Sequence, residues 1–92
     1  MNTPLGQPDY KYQANTDYDQ ERQLVLYNDD VNTFDHVINS LVEVCSHDER
    51  QAEQCALITH YKGKCSVLSG SHSELEPKKN QLNHRGLSAE IH

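Results

Sequence analysis

Three kinds of side chain in this sequence can do chemistry, and they are unevenly placed. Asn28, Asp29 and Asp30 stand together between the apolar run Val25-Leu26-Tyr27 and a second apolar segment that starts at Phe34. His60 comes 32 positions after Asn28, at the head of His60-Tyr61-Lys62-Gly63-Lys64. Cys45, Cys55 and Cys65 are spaced ten apart. An amide oxygen, two carboxylates and a neutral imidazole nitrogen are all acceptors, so together they could rim a site that holds a positive charge. Taken alone, Asn28-Asp29-Asp30 suits a strand-to-helix loop whose Asx-turns satisfy backbone N–H groups. His60 alone suits a helix C-terminus, where it can complement the dipole. Which account applies depends on whether the fold brings the two stretches together.

The cysteines point away from chemistry. Three is an odd number for a closed disulfide set, and the spacing matches no zinc motif. All three have apolar neighbours, as buried thiols do, and without an export signal a reducing cytoplasm is the expected setting. A hydrolase built from Asp30, His60 and a thiol would need an activated nucleophile, and no Gly-rich oxyanion turn accompanies them. A metal site from His47, His60, His72 and a thiol has no supporting spacing. Neither an enzyme nor a cofactor or metal is expected.

The elements that position these residues occupy only part of the 92-residue chain. A hydrophobic fraction of 35% and a mean hydropathy of −0.86 leave one small core. Residues 1–21 hold Pro4, Pro8, Tyr10, Tyr12 and Tyr18 but few aliphatics, so a disordered arm is expected there, with one domain over 22–92. Net charge is −6, and Asp9, Asp17, Asp19 and Glu21 against Lys11 put half of it in the arm. Without a basic stripe, nucleic acid is not an expected partner. No apolar run approaches the ~20 residues of a membrane span.

Within 22–92 the pattern predicts a strand over Arg22 to Tyr27, then a helix whose stripe is Phe34, Val37, Ile38, Leu41, Val42 and Cys45. Asn32 is its expected N-cap, with Asp35 at N3. Ser46-His47-Asp48-Glu49 reads as a capping box opening a second helix, which carries Ala52, Cys55, Ala56 and Thr59 and stops at Gly63. A strand over Lys64 to Ser69 follows, then a helix over His72 to Arg85 with Pro77 in its first turn. Gly86 ends that helix before a last strand over Leu87 to Ile91. The order βααβαβ is an α+β fold, a two-layer arrangement with helices on one face of one sheet. The first two helices form a hairpin, which returns the end of the second to the start of the first. His60 is thereby expected beside residues 28 to 32, over an apolar pocket containing Phe34, Val37, Ala56 and Thr59.

Those residues carry a resemblance. Asn28-Asp29-Asp30 followed by Asn32, Phe34 and Val37, together with His60-Tyr61-Lys62-Gly63-Lys64, resembles the ClpS adaptor family over roughly residues 22–91. The resemblance implies a small antiparallel three-stranded sheet with three helices on one face. It implies a monomeric, non-catalytic, cytoplasmic adaptor that recognises N-end-rule substrates with N-terminal Leu, Phe, Tyr or Trp. Such adaptors deliver these substrates to the N-domain of a Clp AAA+ unfoldase of the ClpA or ClpC type. By the same resemblance Asn28, Asp29, Asp30 and His60 would receive the substrate's α-amino group, Asp30 directly or through water. Asn32, Phe34, Val37, Ala56, Thr59 and Leu87 would form the pocket for its first side chain. Four positions depart from the family pattern. Asn32 stands for the usual Thr, Thr33 for Pro, Phe34 for the Met that gates the pocket, and Ala56 for a second pocket Met. The last two keep the pocket apolar while changing its shape. The alternative is an interaction domain of similar fold, like the C-terminal domain of a ribosomal stalk protein, without N-terminal recognition.

Overall fold

Arg22–Tyr27 forms β1, and its alternation buries Leu24 and Leu26 on one face. The structure, a computed structural model, describes residues 20–92, so the arm expected over 1–21 lies outside the described residues except for its last two positions. β1 is the central strand of a three-stranded antiparallel sheet, flanked by β2 (Lys64–Gly70) and β3 (Ser88–Ile91). Leu24 pairs with Leu68 and Val25 with Ser66, which leaves Val67 as an extra residue in a bulge. The bulge turns two successive residues, Val67 and Leu68, toward the core. The buried His47 donates its Nε2–H to the Val67 carbonyl at 2.7 Å, tying the interhelical loop to this strand.

Helix α1 (Phe34–Cys45) buries Leu41, Val44 and Cys45, with Val37, Ile38 and Val42 packed at the edge of the same core. Its N-cap is Thr33, whose hydroxyl accepts the His36 N–H at 3.1 Å. Asn32 does not cap, because its amide is engaged elsewhere, and Asp35 moves from N3 to N2 while staying in the first turn. Helix α2 (Glu49–Lys62) likewise starts later than the capping-box reading, with Asp48 as N-cap accepting from the Gln51 N–H at 2.7 Å. Ser46 cannot serve that end, since it closes α1 in the left-handed region at φ 59°. The expected stripe Ala52, Cys55, Ala56 and Thr59 is buried. Gly63 ends α2 at φ 93°, a conformation that costs little only for glycine.

Helix α3 (His72–His84) opens on a capping box between Ser71 and Glu74. Because it begins at His72, Pro77 falls in the second turn, not the first, and removes the N–H that the Ser73 carbonyl would accept. Both residues are exposed, so water can take that place. Arg85 caps the helix, Leu75 and Leu82 seal it to the core, and β3 starts at Ser88, one residue beyond the buried Leu87.

Candidate functional site

The loop after β1 is held from both sides. The Asn28 N–H donates to the Gly63 carbonyl at 2.9 Å, joining it to the turn after α2. The Asn32 side-chain amide donates to the Gly86 carbonyl at 2.9 Å, joining it to the turn before β3. His36 adds a further tie to that turn through the Arg85 carbonyl at 2.9 Å. Between these anchors Asp29 organises the loop. Its Oδ1 accepts the N–H groups of Val31 and Asn32, both at 2.8 Å, and its Oδ2 accepts the Asn32 amide at 2.8 Å. Partial burial pushes the Asp29 carboxyl up, but these donors outweigh it, and the acid is held below the ordinary aspartate range.

The two aspartates therefore differ. Asp29 is spent on its own loop, whereas Asp30 is exposed. Among the described residues no other side chain or backbone group hydrogen-bonds to the side chains of Asn28, Asp30 or His60. The His60 ring tilts against Phe34, the first residue of α1, with centroids 5.3 Å apart.

Beneath lies a small pocket of about 50 Å³, and all six pocket residues read from the sequence line it: Asn32, Phe34, Val37, Ala56, Thr59 and Leu87. Asn28, Asp29 and His60 border it as well, while Asp30 stands outside the lining. Leu26 and Tyr27 line it without having been anticipated. Leu26 is buried, and as the last inward residue of β1 it is both core and pocket wall. The Tyr27 hydroxyl is engaged with His92 Nε2 at 2.6 Å. The Thr59 hydroxyl donates to the Cys55 carbonyl at 2.7 Å, so it offers the pocket no free donor. Acceptors on one side of a pocket whose other walls are Leu26, Phe34, Val37, Ala56 and Leu87 suit a ligand that joins a cation to a hydrophobic group.

Cys45, Cys55 and Cys65 are all buried and free. Burial pushes the Cys45 thiol up to about 11, and burial with Cys65 alongside pushes Cys55 up to about 12, away from a nucleophilic thiolate. Among the described residues no group of three His, Cys, Asp or Glu side chains converges to hold a metal ion. No helix among them is long and apolar enough to cross a membrane.

Comparison with known proteins points the same way as the motifs. A family model described as "ATP-dependent Clp protease adaptor protein ClpS" matches residues 17–90. A search of curated protein sequences finds no match. Among solved structures, ClpS2 of Agrobacterium tumefaciens bound to L-phenylalaninamide superposes with a TM-score of 0.67 at 17% identity, over 78% of this chain and 94% of that one. At that identity the likeness speaks for the fold: three helices on a three-stranded antiparallel sheet.

Proposed function

Because the chain belongs to the ClpS family of ATP-dependent Clp protease adaptors, we propose that it binds proteins by a free N-terminal amine and a bulky hydrophobic first residue. The observation that carries this reading is that two acceptor-bearing side chains, Asn28 and His60, line one pocket together with Leu26, Phe34, Val37, Ala56 and Leu87, next in sequence to the exposed Asp30. An ammonium has three N–H donors and no acceptor, so it complements them. Asn28 and His60 border the pocket and accept directly; Asp30, outside the lining, accepts at the rim or through water. Asp29 acts one step back by fixing the loop that presents Asn28 and Asp30.

Magnitudes explain why both halves of the ligand are needed. Hydrogen bonds to a charged group contribute about 1.5–3 kcal/mol each. Burial of a Leu or Phe side chain adds about 1.5–3 kcal/mol. Association itself costs roughly 4–15 kcal/mol, so neither half suffices alone. The ligand of the Agrobacterium structure, an amino-acid amide with a free amine and a phenyl side chain, is of this chemical type.

In this reading the adaptor is a cytoplasmic monomer that passes Leu-, Phe-, Tyr- or Trp-initiated substrates to the N-domain of a ClpA- or ClpC-type unfoldase. Reconstituted degradation tests it. A reporter beginning with Phe should be degraded by the unfoldase and its peptidase only when this protein is added, and a reporter beginning with Ser should not. Equal degradation of the two reporters would contradict the proposal and favour a non-recognising interaction domain.

A further inference from the structure

Three rings, Phe34, His60 and Tyr61, are in consecutive contact. Phe34 and His60 line the pocket with centroids 5.3 Å apart, and Tyr61 lies 4.9 Å beyond His60, edge-on at 80°. Tyr61 is 77% exposed and Phe34 43% exposed. A single exposed aromatic needs no explanation. These two, however, flank the one imidazole at the mouth of the pocket, so the apolar surface continues outward from the site.

We propose that Tyr61, with the exposed edge of Phe34, is a platform for the second residue of the bound N-terminal segment, so that substrates with an aromatic or large aliphatic second residue are preferred. The inference rests on the preceding reading of the pocket and its rim. With the amine held at Asn28 and His60 and the first side chain in the pocket, the first residue's carbonyl must leave through the mouth. Successive Cα atoms are about 3.8 Å apart. Tyr61 lies 4.9 Å from the His60 ring that borders the pocket, and the proposal sets the second side chain against it. Aromatic contacts favour offset or edge-on geometry at about 4.5–7 Å, and the exposed Tyr61 and Phe34 surfaces leave room for it. Tyr61 is held by His60 on one side only, so it offers an open face without a change in the fold.

The test uses the full chain and peptides that begin Phe-Phe, Phe-Leu and Phe-Ser but are otherwise identical, read by fluorescence anisotropy. Phe-Phe should bind about three- to tenfold tighter than Phe-Ser, with Phe-Leu between them. In Tyr61→Ala the Phe-Phe to Phe-Ser ratio should fall below about twofold, and in Tyr61→Phe it should persist. Equal wild-type affinities, or a ratio that survives Tyr61→Ala because all peptides weaken alike, would overturn the proposal. An N-acetylated Phe-Ser peptide separates the two levels. If acetylation abolishes binding while the second residue has no effect, only the platform fails. If acetylation has no effect, the reading of the site fails, and the platform with it.

Discussion

Asn32 donates to Asp29 twice, from its backbone N–H and from its side-chain amide, both at 2.8 Å, and the same amide reaches the Gly86 carbonyl at 2.9 Å. One side-chain pair thus joins the loop after β1 to the turn before β3, so that the acceptor loop and the Leu87 wall of the pocket are set against each other. Asp29→Ala removes all three accepted bonds. It should destabilise the domain by about 1 kcal/mol, a value discounted for the partial exposure of the group. The sign with pH follows from the lowered acid constant. A folded-state value below the unfolded one adds stability above about pH 4, and that stability is lost as pH falls through the folded value. Urea unfolding of wild type and Asp29→Asn should therefore differ at neutral pH and converge in acid. A difference that grew in acid would contradict the role given to Asp29.

How legible this arrangement was in the sequence varies by residue. The stripe from Phe34 to Cys45, the pair Leu75 and Leu82, and the exit at Gly63 were readable because periodicity and glycine conformation are local properties. The cap of α1 was not. Asn32 and Thr33 are both good N-caps, and the deciding fact is a carbonyl 54 positions away at Gly86. Ser46 begins a sequence that fits a capping box, but the preceding helix claims it first. Asp29 and Asp30 are identical in type and adjacent, so nothing local says which turns onto its own loop. The meeting of His60 with the acceptor loop was readable, because hairpin topology alone returns the end of one helix to the start of the other.

His60 supplies a test by substitution. A neutral imidazole nitrogen can accept a hydrogen bond from an ammonium, and a phenyl ring cannot. Affinity for a Phe-initiated peptide should fall about tenfold in His60→Phe, which keeps a ring against Phe34 and Tyr61 but removes the acceptor. Unchanged affinity would mean that the ring serves only to pack against Phe34 and Tyr61.

The pocket wall predicts selectivity. Ala56 is buried and lines the cavity, while Phe34 sets a rigid ring at its mouth. A pocket with the small Ala56 in its wall and the flat Phe34 ring at its edge should favour Phe, Tyr or Trp over Leu and exclude Ile and Val, whose Cβ branching stiffens them. Ala56→Met should shift preference toward smaller side chains by adding bulk to that wall. Peptides differing only in the first residue give the ranking. Ile binding as well as Leu would contradict the assignment of this cavity as the first-residue pocket.

The central claim is that the site reads a free amine together with a hydrophobic side chain. It is tested most directly by fluorescence anisotropy with two peptides that differ only in having a free or an acetylated N-terminal Phe. Acetylation removes the charge and two of the three donors, and the loss of even one charge-assisted bond corresponds to about tenfold or more in affinity. The free peptide should bind at least about tenfold tighter, and His60→Ala should lower its affinity by a similar factor. Equal binding of the free and acetylated peptides would contradict the account.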